Sequence, residues 1–156
     1  MSCDAVAFAA TLWLASTSAA PPPAAPAMVA TPQSVASEPL FADIVRRAGL
    51  LKDETQAYEK GSLDAAPAQL AGFTSFETEV GQLSDLDMQG HVVLVQRGVT
   101  DDLKCILKGI SQDLPVKLKA LEAAPDAKSR HEALQDMYFL LRDNVEVITS
   151  PPQPAA

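Results

Sequence analysis

The stretch that most constrains the fold is Ser129 to Thr149, SRHEALQDMYFLLRDNVEVIT. Leu134, Met137, Leu141, Val145 and Ile148 recur at steps of three and four, which places them on one face of a helix. Ser129 and Glu132 have the spacing of a capping box, in which each side chain satisfies an orphan amide of the first turn. At the middle, Tyr138, Phe139, Leu140 and Leu141 are consecutive. Four bulky apolar residues in a row point all the way round a helix. The stretch therefore reads as the central or sealing helix of a bundle, covered on more than one side by neighbouring helices or by another subunit.

Three earlier stretches carry the same periodicity. Phe41, Ile44, Ala48, Leu51, Thr55 and Tyr58 keep a near-heptad rhythm over 39–60, with Ser37 as the expected N-cap, Pro39 in the first turn and Gly61 as the stop. Gly49 inside it costs about 1 kcal/mol against Ala, so it marks either a close helix crossing or a tolerated defect. A second helix is expected from near Asp64, with Pro67 in its first turn and Leu70, Phe73, Val80 and Leu83 as its stripe. Glu77 interrupts that stripe, and neighbouring Phe76 partly replaces it. Val92 to Val95 has the composition of a short strand, but no second strand exists to pair with it, so it is read as helix, with either a break at Gly90 or the second helix running through to Gly98. The third helix is expected to start at Thr100 as N-cap, with Asp101 and Asp102 in its first turn. Its stripe is Leu103, Ile106, Ile110, Leu114, Leu118 and Leu121. Pro115 lies within it and should kink the helix or restart it from Asp113. Pro125 and Asp126 then turn the chain into the opening stretch.

Short connections favour antiparallel neighbours. The expected fold is all-α, an antiparallel four-helix bundle running up-down-up-down over residues 39–150. The second helix is acidic and carries no base between Ser62 and Gly90, whereas the region of the third is more basic, with Arg97, Lys104, Lys108, Lys117 and Lys119. That contrast suggests a hairpin with complementary faces.

The ends read differently. Ala5 to Leu14 is a ten-residue apolar run, followed by small residues to Ala20, so 1–20 resembles a secretory signal, although residues 1–14 hold Asp4 and no Lys or Arg. Such a run is short for a bilayer span, and no integral membrane span is expected. Residues 21–38 form a Pro/Ala-rich linker, and 151–156 a Pro-rich tail; both are expected to be disordered. These features point to a periplasmic or secreted protein. If the N-terminus is removed, Cys105 stands alone of the two cysteines, Cys3 and Cys105; there is then no disulfide framework, and Cys105 reads as a small core residue.

The chemistry-bearing motifs are missing. There is no GxxxxGK[ST] or GxGxxG phosphate cradle, no GxSxG elbow and no CxxCH. His131-Glu132 begins like a zincin motif, but Gln135 stands where the second His belongs. Met88 stands three before His91 and Lys128 three before His131, so the Glu-x-x-His pattern of di-iron bundles fails. A net charge of −8 argues against nucleic acid as a partner. No catalytic residue, metal ligand or cofactor site is nominated, and the chain reads as non-enzymatic.

Two functions remain. One is an exported interaction or adaptor module that binds a protein partner or forms a homo-oligomer. Its candidate interface is Val93, Tyr138, Phe139, Leu140 and Val147, within a wider apolar surplus that includes Leu40, Val45 and Phe76. The alternative is a small-ligand carrier with a site between the helices, in its haem form using Met88 or Met137 with His91 or His131.

Overall fold

A computed structural model describes residues 35–61, 63–99 and 102–150. Among these residues there are four long helices and no strand: α1 (Pro39–Lys60), α2 (Phe73–Gln96), α3 (Leu103–Glu122) and α4 (Ala127–Thr149). Single 3-10 turns, Val35–Ser37 and Pro67–Gln69, precede α1 and α2. Each helix packs against two others, α1 with α2 and α4, and α3 with α2 and α4, so the four form a bundle around one core. Among the described residues no helix is long and apolar enough to cross a membrane. The signal-like segment, most of the linker and the Pro-rich tail lie outside the described residues.

The apolar stripes form the core largely as their spacing requires. All six expected positions of α1 are buried: Phe41, Ile44, Ala48, Leu51, Thr55 and Tyr58. Thr55 tolerates this because its hydroxyl donates to the Leu51 carbonyl at 2.8 Å, one turn back. Phe73, Val80 and Leu83 are buried on α2, and Phe76 does replace Glu77, being fully enclosed. On α3, Leu103, Ile110, Leu114 and Leu121 are buried, Ile106 and Leu118 half-buried, and Leu107 is a core residue outside the expected stripe. On α4, Leu134, Met137, Leu141 and Ile148 close the core, while Val145 packs at its edge. The stretch Val92–Val95 is helical, and α2 runs through Gly90 without a break.

Several local expectations are corrected. Ser37 belongs to the 3-10 turn, and Glu38 is the residue that flanks α1, with no side-chain cap bond. Val35 and Ala36, at the end of the linker, already pack on the core. The second helix starts at Phe73, not Asp64, because Gly72 adopts φ +81 just before it. That left-handed conformation is strained for any side chain, and it turns the chain sharply from the Pro67 segment into α2. The cap of α4 is Asp126, whose carboxylate accepts from the Ser129 amide at 2.8 Å, so Ser129 is the recipient of a cap and not its source. That bond holds the Asp126 carboxyl below its usual pKa. The cap expected at Thr100 lies outside the described residues, and α3 begins at Leu103 after Asp102.

Pro115 neither ends α3 nor restarts it at Asp113; the helix continues from Leu103 to Glu122. Proline has no amide to give the carbonyl four residues back, which leaves the Ser111 oxygen without its helical partner. Ser84 on α2 takes that place, its hydroxyl donating to the Ser111 carbonyl at 2.7 Å. The defect in one helix thus becomes a hydrogen bond to the next.

The expected charge match between α2 and α3 is not how these helices meet. Among the described residues, ion pairs between elements join Arg97 at the end of α2 to Glu38 (2.7 Å) and Lys117 of α3 to Asp136 of α4 (2.7 Å), and His131 of α4 lies 3.3 Å from Glu59 of α1. Polar contacts between α2 and α3 go to backbone: Ser84 to Ser111, and His91, whose Nδ1–H donates to the Lys104 carbonyl at 2.6 Å. Cys105 is half-buried and disulfide-bonded, so it is not the small core residue expected; Cys3 lies outside the described residues.

Gly49 is settled by space. A Cβ there would meet nothing within 4 Å, so it marks no close crossing. The close approach is at Gly90, where a Cβ would lie 3.1 Å from Leu107, 3.3 Å from Phe41 and 3.4 Å from Ile44.

Candidate functional site

The expected interface residues do not come together as one patch. Phe139 is exposed (47%) on α4. Tyr138 is half-buried, with its ring edge-on to Phe139 at 5.7 Å between centroids. The Arg142 guanidinium lies 5.0 Å from the Phe139 centroid, a cation–π contact held between Asp143 and Glu146. Leu140 and Val147 are half-buried and pack on the core, and Val93 is half-buried on α2. Of the wider surplus, Phe76 is enclosed, and Leu40 and Val45 pack at the core's edge. Four consecutive apolar residues on α4 therefore do not mean a helix covered all round. Leu141 is in the core, its neighbours flank it, and Phe139 faces out.

The exposed apolar side chains are instead Leu50, Val92, Val95, Val116 and Phe139, spread over the four helices. Val92 (43%) and Val95 (48%) form the one pair within a single helical turn. Met88, half-buried, precedes them by four residues, so the three share one face of α2 at the 4-3 spacing of a helix-packing seam. A shallow groove of about 270 Å³ lies elsewhere, between α1 and α2, lined by Arg47, Gln82, Asp85, Leu86 and Gln89.

Of the haem-type candidates, Met88 is half-buried on α2. Met137 is fully enclosed in the core. His91 donates to the Lys104 carbonyl, and His131 Nδ1 lies 3.3 Å from the Glu59 carboxylate. Among the described residues no group of three or more His, Cys, Asp or Glu side chains is placed to hold a metal ion.

Sequence reasoning missed a polar pair inside the core. Asp87 of α2 and Asn144 of α4 are both fully enclosed, and the Asn144 amide donates to Asp87 Oδ2 at 2.8 Å. Asp87 Oδ1 and Asn144 Oδ1 are buried with no partner. Burial, opposed only by the Asn144 bond, pushes the Asp87 pKa up to about 8. Only their register was legible: Asp87 continues the Val80–Leu83 stripe toward Leu94, and Asn144 falls between Leu141 and Ile148 on theirs.

A second buried polar group closes one end of the bundle. Arg130 of α4 donates to the carbonyls of Leu63 (2.6 Å), Ala124 (3.2 Å) and Asp64 (3.3 Å). Its guanidinium ties the α1–α2 connection and the α3–α4 turn to the first turn of α4, a structural clamp built from neutral acceptors. No family model matches the chain, and neither the curated proteins nor the solved structures searched contain a match to it.

Proposed function

We propose that this protein is an exported, non-enzymatic helical-bundle interaction module that self-associates, in the periplasm or outside the cell. The observation that carries the reading is the exposed pair Val92 and Val95 on α2, in line with half-buried Met88 one turn before, while Leu94 of the same helix is enclosed in the core. Exposed apolar side chains in line on one helix gain free energy when a second helix covers them. A self-complementary strip favours a two-fold contact between like copies. The export part rests on the apolar run at Ala5–Leu14, the small residues after it and the Pro/Ala linker.

The bundle itself is proposed to run up-down-up-down. Four contacts support antiparallel neighbours. Arg97 at the end of α2 meets Glu38 at the start of α1, while Tyr58 near the end of α1 packs on Phe73 at the start of α2. His91 late in α2 meets Lys104 early in α3. Glu59 late in α1 meets His131 early in α4.

Light scattering on the full chain tests the association. The expected result is a concentration-dependent dimer that weakens at least about tenfold, roughly 1.4 kcal/mol, in the double variant Val92→Ser/Val95→Ser, with helix content unchanged. A monomer at every concentration, or a dimer indifferent to those substitutions, rules the strip out as the contact.

A further inference from the structure

The pairing of Asp87 with Asn144 leaves one acceptor oxygen on each residue without a donor, in a place water does not reach. An ionised carboxylate has no hydrogen to supply, and the Asn144 amide already gives one to Oδ2. A protonated carboxyl has one more hydrogen, and its natural acceptor is the orphan carboxamide oxygen beside it. We propose that Asp87 enters the folded bundle as a neutral carboxylic acid, donating through Oδ1 to Asn144 Oδ1 while accepting through Oδ2, and that losing this proton loosens α2 from α4.

The two-bond ring would satisfy both orphan atoms with no further group, and it would join α2 to α4, which make no close backbone contact with each other. Several charged groups on the surrounding elements are engaged elsewhere. On α1, Asp43 pairs with Arg46 and Arg47, and Arg47 also reaches Gln82. On α3, buried Lys104 donates to the Val99 carbonyl, and Lys117 pairs with Asp136 of α4. On α4, Arg130 holds loop carbonyls and Arg142 pairs with Asp143. On α2 itself, His91 binds the Lys104 carbonyl. None of them acts on the Asp87 carboxyl, whose upward shift comes from burial. With no cation at hand, ionisation in place would strand a charge in the core.

The direction of the pH effect follows. The unfolded chain ionises Asp87 above about pH 4, whereas the folded one keeps its proton to about pH 8. Between those values only the folded state binds that proton, so the contribution is full below pH 4 and is lost as pH rises toward 8. One such group lowers the folding equilibrium constant by about tenfold per pH unit inside that window.

The test combines two measurements on the full chain. Denaturant unfolding followed by helical circular dichroism from pH 5 to 9 should show that fall. It should flatten in Asp87→Asn, whose amide offers the same donor and acceptor without a titrating proton. Carboxyl carbon NMR of the unaltered protein should place the Asp87 titration near pH 8, which stands even if the variant fails to fold. An Asp87 resonance titrating below pH 5, or a variant with the same pH slope as the parent, overturns the proposal.

Discussion

At the start of α2, Phe73 and Phe76 meet Tyr58 of α1; three turns later the same face of the same helix presents Asp87 to Asn144 of α4. The aromatic end is held by contact alone. Phe73 and Phe76 stack at 5.9 Å between centroids, and Tyr58 lies edge-on to Phe76 at 5.5 Å. Its one polar tip is satisfied at the rim, where the Tyr58 hydroxyl donates to Glu54 at 2.6 Å and lies 3.2 Å from the Ala71 carbonyl. Burial and that carboxylate together raise the phenol's pKa, so it stays neutral through the ordinary pH range. The polar middle works by partner identity and by proton count. Apolar packing tolerates many geometries, whereas a buried carboxyl requires one partner in one protonation state.

Truncation at each site breaks the comparison most directly. Phe76→Ala removes a fully enclosed ring from the aromatic cluster and should cost about 3–5 kcal/mol in denaturant unfolding, equally at pH 5 and pH 8. Asn144→Ala should cost less, about 1–3 kcal/mol, because the group lost is one hydrogen-bond partner and a short side chain. Its signature is in the pH profile. Asn144 is the group that lowers the Asp87 pKa against burial, so removing it leaves the folded-state value higher still. The window in which stability falls with pH should then extend upward. Equal pH profiles for Asn144→Ala and the parent would mean that the two halves of α2 differ in composition only.

The two regions also differ in how far they were legible. Spacing alone located the six buried residues of α1 and the Phe73, Val80, Leu83 stripe of α2, because apolar burial repeats with the helix period. It placed the start of α2 at Asp64, since Pro67 suits a first turn, and missed that Gly72 resets the chain direction. Asp87 and Asn144 sat in register on apolar stripes, yet a carboxylate and an amide carry no mark separating a buried pair from two solvated residues. That distinction depends on which side chain stands across the core, and one helix's sequence does not contain it. The same holds for Phe139. The run from Tyr138 to Leu141 looks covered all round, but the α4 backbone packs closely along only two of the other helices, α1 and α3, and Phe139 faces out.

Glycine sharpens the comparison at the smallest scale. Gly90 lies one turn beyond Asp87, and its missing side chain is what lets Phe41, Ile44 and Leu107 close in on α2. In Gly90→Ala the better helix propensity contributes about 1 kcal/mol, while overpacking costs about 1–3 kcal/mol. A Cβ 3.1 Å from the Leu107 methyl is too close to accept without movement, so the overpacking term should win and the variant should lose up to about 2 kcal/mol. Gly81, in the first half of the same helix, is exposed, and a Cβ there meets nothing within 4 Å. Gly81→Ala should therefore stabilise by about 0.5–1 kcal/mol, from backbone entropy alone. Opposite signs for one substitution at two points of one helix would show that its second half is held by close approach, and its first half by the bulk of its side chains. If Gly90→Ala also stabilised, the crossing would have slack, and Asp87 would sit in a looser core than its neighbours imply.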